Sequence, residues 1–348
     1  MEKNHPKTHS TQLVKHFLTG EEWSKQEIFD TLALARHLKK EREEFFNKTV
    51  TSPSTKVNSL INPSGVSETS HRHHTQGPHS HPLFGKTIVM LFDKPSLRTR
   101  MSFTVAINEL GAHAVESIGS NRKTEEPEDI IRVLAGYAHG LMIRTFDHAL
   151  VERMTKNSSI PIINGLTDSH HPCQVMADLL TLQERFSQLQ GLKLTYIGDG
   201  NNMLHSLMLL CPRLGIDLHY ACPSGFEPNA FIVKNSKLLA HKEGGSITAH
   251  DSPESAAAMS HALYTDVWTS MGFEQEEQVR EAAFAGFQVN EALLSKADPQ
   301  AVVMHCMPMV RGKEISTTLP DHPQSIIFQQ SENRLHVQKA ILMKLLNT

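Results

Sequence analysis

KTIVMLFDKPSLRTRMSFTVAINELG, residues 86–111, joins two periodicities through a cluster of polar side chains. KTIVMLF is an unbroken apolar run of the kind buried on both faces of a parallel sheet. SFTVAINELG reads as a helix that Gly111 stops. Between them, Ser96, Arg98, Thr99 and Arg100 crowd two positive charges and two hydroxyls into five positions. Such a cluster is costly to hold together unless something negative sits among it. At a strand-to-helix junction, the free N–H groups of the helix start point into the same space as the guanidinium groups, which suits a phosphate. The plainer reading is a solvated basic turn in which Ser and Thr cap the helix.

The same alternation continues along the chain. HAVESIG, GLMIRTF, IPIINGL, LKLTYIGDG, IDLHYACP, ALYTDVW and AVVMHCMP read as strands. EPEDIIRVLAGYA, HALVERMTKNS and HPCQVMADLLTLQERFSQL read as helices, with further helical patterns between the later strands. This alternation predicts parallel sheets covered by helices on both faces. Ligands of such sheets bind beyond the carboxyl ends of the strands, and the unusual polar clusters stand at those ends, after MLF, LMIR, IINGLTD, YIGDG, YTDVW and VMHC. The expected fold is α/β: two open parallel-sheet α/β domains facing each other across a cleft. A chain of 348 residues is long enough for two.

Upstream, TGEEWSKQEIFDTLALARHLKKEREEF predicts an amphipathic helix opened by Thr19 or Gly20, with Trp23, Ile28, Leu32 and Leu38 on its buried side. Residues from about 49 to 82 are rich in Ser, Thr, Pro and Gly and have no period, so they read as a disordered insertion. Within it, HRHHTQGPHSH places His71, His73, His74, His79 and His81 close together. Imidazoles at that density can bind a transition metal. Without a preset geometry they read instead as a surface segment that titrates near pH 6.5.

A formal net charge of −3 argues against nucleic-acid binding by bulk charge, so an anion site must be local. Cys173, Cys211, Cys222 and Cys306 show no paired spacing and read as reduced thiols of a cytoplasmic protein. No apolar run is long enough to span a bilayer, and MEKNHPKTHS lacks the features of a leader peptide.

Further clusters have two readings each. Arg144 ends an apolar strand, where a charge needs a partner. His171 and Gln174 stand three apart at a helix start, so both can face one ligand, or the pair is only a cap. GDGNN (198–202) lacks the spacing of a dinucleotide fingerprint. Asp266 and Ser270 follow a strand, and Cys306 is either a nucleophile or a buried thiol.

Taken in order, Ser-x-Arg-Thr-Arg, Met-Ile-Arg, His-Pro-Cys-Gln, Gly-Asp-Gly-Asn-Asn, Asp-x-x-x-Ser-Met-Gly and His-Cys-x-Pro closely resemble the ornithine carbamoyltransferases, from HFLTGEEWS to SENRLHVQKAIL. The resemblance implies transfer of the carbamoyl group of carbamoyl phosphate to the side-chain amine of L-ornithine, giving citrulline and phosphate in arginine metabolism. It implies no metal, no organic cofactor, no nucleic-acid or membrane partner, and a homotrimer or a multiple of one. Residues 1–165 would bind carbamoyl phosphate, completed by a C-terminal helix over 330–348, and residues 166–329 would bind ornithine. Carried over by position, Ser96, Leu97, Arg98, Thr99 and Arg100 hold the phosphate, Leu97 through its backbone. Arg144, His171, Gln174, Cys306, Met307 and Arg334 reach the carbamoyl group, and Asn202, Asp266, Ser270 and Met271 bind ornithine. The residues implied in the chemistry itself are Arg144, His171, Asp266 and Cys306.

Three departures stand out. Leu97 replaces the family's usual Thr, and Met309 and Val310 replace an Ala-His pair. SIGSNRKTEEPEDI is shorter than the family's Gln-Leu-Gly-x-x-Glu-Ser loop, part of which reaches a neighbouring subunit, and neither Arg122 nor Lys123 can be assigned to its role. The alternatives are a transcarbamylase for another amine, such as putrescine or an acylated ornithine, and a non-catalytic ligand-binding paralogue. The intact DVWTSMG favours a free α-amino acid, whose charged amine would pair with Asp266.

Overall fold

A computed structural model describes residues 14–51, 78–118, 125–270 and 274–347. Helix α1 (Lys25–Thr51) precedes β1 (Thr87–Phe92), α2 (Leu97–Glu109), β2 (His113–Ile118), α3 (Pro127–Ala135), β3 (Gly140–Arg144), α4 (His148–Thr155) and β4 (Ile162–Leu166). Helix α5 (Pro172–Phe186) leads to β5 (Lys193–Ile197), α6 (Asn202–Leu210), β6 (Asp217–Ala221), α7 (Ala230–Glu243), β7 (Ser246–Ala249), α8 (Pro253–Ala257) and β8 (Ala262–Thr265). Helices α9 (Glu277–Phe284) and α10 (Glu291–Leu294), β9 (Val302–His305) and α11 (Ile327–Leu346) complete the chain.

The strands form two parallel sheets, in the orders β2-β1-β3-β4 and β7-β6-β5-β8-β9. The expected architecture is therefore observed. Every residue of β3, β8 and β9 is buried, as strands covered on both faces require. One apolar core runs from Phe17 and Trp23 through α5 to Tyr196 and Tyr264, so both sheets share it. Smaller cores cover the outer face of each sheet. Helix α11 returns from the second sheet to lie against α1, α2 and α5. No helix among the described residues is long and apolar enough to cross a membrane.

Four local expectations change. Strand β7 was not legible, because it is a four-residue edge strand with two exposed positions. Helix α1 starts at Lys25 rather than near Thr19. Glu22 accepts the N–H groups of Thr19 and Gly20, while Ser24 and Glu27 form a reciprocal capping box (2.9 and 3.2 Å). Helix α2 begins five residues before Ser102, at Leu97, because Ser96 caps it by accepting the Thr99 N–H at 3.3 Å.

At both ends of the insertion expected over 49–82 the described residues depart from that reading: α1 runs to Thr51, and residues 78–82 have a defined place in the fold, while 52–77 lie outside the described residues. His71, His73 and His74 lie outside the described residues, but His79 is buried. Its Nδ1 meets Glu41 at 2.8 Å and its Nε2 meets the Lys339 ammonium at 2.9 Å. Lys339 donates, so Nε2 accepts and Nδ1 carries the proton given to Glu41. Burial first, and then Lys339, lowers the His79 pKa. The expectation of a surface histidine titrating near pH 6.5 fails at this residue.

Eight other histidines share the downward direction, with burial the first cause in each: His16, His148, His170, His171, His205, His219, His250 and His336. The unfolded chain then binds protons that the folded chain refuses, so stability falls as pH drops below about 6.5. Asp178 and Asp199, raised to about 7 and about 6, and Glu21, also raised by burial, oppose this with only three groups. We expect the thermal midpoint to fall steadily between pH 7.5 and pH 5, measured by scanning fluorimetry. A midpoint that is flat or rises toward pH 5 contradicts these neutral buried imidazoles.

Candidate active site

The carboxyl ends of β1, β3, β8 and β9 and the starts of α2, α5 and α6 face a cavity of about 440 Å³ between the two sheets. On the side of the first sheet, Thr99 is the meeting point. Its Oγ1 accepts from Arg334 Nη2 at 2.6 Å and from Arg144 Nη1 at 3.5 Å. Arg144 and Arg334 are both buried, and the Nε of each is buried with no hydrogen-bond partner. Arg98, half-buried, lines the same space. Burial is the main cause that lowers all three guanidinium pKa values, and the arginines repel one another's charge; Arg144 falls to about 10. A cluster like this is poised for an anion with several acceptor oxygens.

His171 stands beside them at the N-cap of α5. Its backbone N–H donates to Ser206 Oγ on α6 at 2.7 Å, and its Nδ1 is buried without a partner. Burial, then Arg334 and Arg144, holds its pKa well below the usual histidine range. The ring is therefore neutral at physiological pH.

On the opposite wall Asp266 directly follows β8, and three donors hold its carboxylate. Asn201 Nδ2 reaches Oδ2 at 2.8 Å, while Val267 N (2.8 Å) and Cys306 Sγ (3.0 Å) reach Oδ1. Burial, and then Asp266 itself, pushes the Cys306 thiol well above its ordinary pKa, so it stays protonated. That, together with the hydrogen bond that commits the thiol to Asp266, argues against a thiolate nucleophile. Asp266, His305 and Cys306 also bring three possible metal-ligand atoms within 4.8 Å of one another. Both His305 ring nitrogens are committed, however. Nδ1 accepts the Met307 N–H at 2.9 Å, which leaves Nε2 to donate to Glu314 at 3.0 Å. These residues are organised as a hydrogen-bonded wall rather than as free ligands.

The GDGNN turn makes that wall. A Cβ on Gly200 would come within 2.6 Å of the Glu227–Pro228 backbone, so only glycine fits there. Asp199 accepts from Arg280 Nη1 at 2.9 Å, and Arg280 also binds the Trp268 carbonyl, which pins the segment leading to Ser270. Asn202 donates across the cleft to the Thr167 carbonyl at 2.7 Å.

Ser96, Leu97, Arg98, Thr99, Arg144, His171, Asn202, Asp266, Ser270, Cys306, Met307 and Arg334 all line this one cavity. Two expected residues do not. Arg100 points away on the exposed side of α2 and pairs with Glu116 at 2.7 Å, because two residues of helix carry it to the face opposite Arg98. Gln174 lies beneath the lining, with its Nε2 donated to Asp178 at 2.9 Å. Met271, Arg122 and Lys123 lie outside the described residues. Lys94, buried with its ammonium 4.1 Å from the Phe146 ring centre, lines the cavity unforeseen. Its signal was a lysine two residues beyond a buried strand. Asn201 was also missed, since its role appears only when Asp266 is brought to it.

A family model described as the aspartate/ornithine carbamoyltransferase carbamoyl-P binding domain matches residues 15–184, and its Asp/Orn binding domain matches residues 190–345. The chain belongs to the aspartate/ornithine carbamoyltransferase family. An ornithine carbamoyltransferase of Anoxybacillus flavithermus is 42% identical over 335 residues, covering 95% of this chain and 96% of that one. That of Bacillus subtilis is 46% identical over 269 residues, covering 76% and 84%. The solved ornithine carbamoyltransferase of Pyrococcus furiosus superposes with a TM-score of 0.81 at 36% identity, covering 94% of this chain and 96% of that one. The family's division falls between residues 184 and 190, so its first domain includes α5.

From the guanidinium cluster, we expect millimolar inorganic phosphate to raise the thermal midpoint of the protein by selective binding to the folded state. Arg144→Ala is expected to abolish that rise. An unchanged wild-type midpoint, or an equal rise in the variant, contradicts an anion site at Thr99.

Proposed function

We propose that this protein transfers the carbamoyl group of carbamoyl phosphate to the side-chain amine of L-ornithine, giving L-citrulline and phosphate. The observation that carries this reading is the division of the cavity. Arg98, Arg144 and Arg334 gather around Thr99 on one side, and the Asp266–Cys306 pair stands on the other. The phosphate binds at the start of α2 through Ser96, Arg98, Thr99 and the Leu97 backbone, and the carbamoyl group lies toward Arg144, His171 and Arg334. Ornithine's α-amino and α-carboxylate groups bind Asn202, Asp266, Ser270 and Met271.

The attacking amine must be neutral, and with a pKa near 10.4 only about one molecule in 10³ is neutral at pH 7. The protonated Cys306 thiol, held by its hydrogen bond to Asp266, orients that form. As the amine attacks, charge grows on the carbonyl oxygen, where Thr99, Arg144 and neutral His171 supply preorganised donors. Loss of one such donor typically costs on the order of 10²–10³ in turnover. The arginines then stabilise phosphate as it leaves, and no covalent intermediate is required.

Assembly as a homotrimer is part of the proposal. Its support is the exposed apolar strip at the β2 edge of the first sheet, where Met101, Val105, Val115, Ile118 and Tyr137 face outward. A cytoplasmic site of action, in arginine metabolism, is supported by four thiols that form no disulfide.

Citrulline formation assayed with ornithine, putrescine and N-acetylornithine tests the substrate, and turnover confined to ornithine is expected. Arg144→Ala is expected to lose at least about 10²-fold in turnover with an unchanged circular dichroism spectrum. Asp266→Asn is expected to weaken ornithine use while calorimetry shows near-normal carbamoyl phosphate affinity. Full turnover in Arg144→Ala, or lost carbamoyl phosphate affinity in Asp266→Asn, contradicts the assignment.

A further inference from the structure

Beneath the cavity, Asp178 is fully enclosed on α5, one turn after Gln174. Its Oδ1 accepts from Gln174 Nε2 at 2.9 Å and from Gln330 Nε2 of α11 at 2.7 Å. Its Oδ2 accepts from the Tyr264 hydroxyl of β8 at 3.1 Å. Gln330 Oε1 in turn accepts the backbone N–H of His305 at 2.9 Å, the residue before Cys306. One carboxylate thus ties α5, α11, β8 and the Cys306 loop together.

We propose that Asp178 is a positioning residue that fixes the Gln174 amide so that its oxygen, not its nitrogen, is the free end offered to the carbamoyl group. An ionised carboxylate only accepts, so the Gln174 atom beside it must be the NH₂ group. That commitment leaves Gln174 Oε1, which is buried and without a protein partner, as an acceptor. Thr99, Arg144 and Arg334 supply donors on this side of the cavity. An acceptor set beside these donors favours the amino group of a carbamoyl group over a methyl group of the same size. This inference rests on the proposed function, and it deepens it by assigning the choice of acyl group to a residue outside the cavity lining.

The arrangement also implies a dependence on pH. Gln174 and Tyr264 face the Asp178 carboxyl from α5 and β8, and Gln330 and Arg334 face it from α11. The Cys306 and Cys211 thiols also lie within electrostatic reach. Burial raises Asp178 to about 7, while the three hydrogen bonds and Arg334 oppose that rise. A protonated carboxyl must donate, so at least one of the three donors then loses its acceptor. Asp178→Asn keeps an oxygen for both glutamines and removes the titration.

The test is steady-state citrulline formation by the full-length protein, with the KM for carbamoyl phosphate measured in wild type, Asp178→Asn, Asp178→Ala, Gln174→Ala and the Asp178→Ala/Gln174→Ala double variant. Competition by acetyl phosphate is measured alongside. We expect Asp178→Ala to raise the carbamoyl phosphate KM on the order of 10–100-fold and to narrow the preference over acetyl phosphate, as for a lost charged hydrogen-bond partner. The double variant is expected to be no worse than Gln174→Ala alone. Asp178→Asn is expected to stay within a few-fold of wild type at pH 8 and, with ornithine saturating, to show a smaller decline than wild type in kcat/KM for carbamoyl phosphate below pH 7. Independent, multiplicative losses in the double variant, or Asp178→Asn as impaired as Asp178→Ala at pH 8, overturn the proposal. If Asp178→Ala does not fold, the Asp178→Asn pH profile decides alone, and a decline identical to wild type is the overturning result. Wild type that makes no citrulline overturns the proposed function together with this inference, whereas active wild type with the contrary variant pattern overturns this inference alone.

Discussion

Two guanidinium groups donating to one threonine hydroxyl is the constraint around which the rest of this structure is arranged. Arg144 and Arg334 come from distant parts of the chain, one ending a central strand and the other on the C-terminal helix. Burying two like charges side by side, with Arg98 close by, carries an electrostatic penalty that the enclosed Asp178 near Arg334 offsets only in part. Among the described residues lining the cavity, Asp266 is the one acid, and it is already held by Asn201, Val267 and Cys306 on the far wall. The apolar core shared by the two sheets supplies the stability that lets this charge be kept.

The two walls are joined through short polar links rather than through one rigid sheet. His171 N–H to Ser206, Asn202 to the Thr167 carbonyl and the Asp178 cluster all cross between the half that holds the arginines and the half that holds Asp266. Each link ends within a residue or two of a side chain that lines the cavity. A second substrate that repositions Asp266 therefore acts on the same elements that carry His171 and Gln174, which couples completion of the site to occupancy of both walls.

Much of this was legible from sequence because parallel α/β architecture leaves a strong signature. KTIVMLF, GLMIRTF and AVVMHCMP are buried on both faces and so read as unbroken apolar runs, and polar residues at their ends mark the cleft. What was not legible depended on packing or on orientation. Strand β7 is a short edge strand with little to bury. Arg100 sits in the right motif, but the helical turn sends it to Glu116. His79 belongs to a histidine-rich, aperiodic segment, and only the fold brings Glu41 and Lys339 to its two ring nitrogens. Asn201 and Asp178 act through other side chains, and local sequence carries no trace of partners that lie far along the chain.

The central claim, that the arginines at Thr99 receive carbamoyl phosphate while Asp266 faces the amino acid, is tested most directly by a crystal structure. The protein would be crystallised with carbamoyl phosphate and norvaline, an ornithine analogue without the reacting amine. The account predicts the phosphate at the start of α2, with the carbamoyl oxygen about 3 Å from Thr99 Oγ1 and a guanidinium N–H of Arg144. It also predicts the norvaline α-amino group against Asp266. A phosphate bound elsewhere, or Arg144 and Arg334 turned away from an occupied cavity, would contradict it.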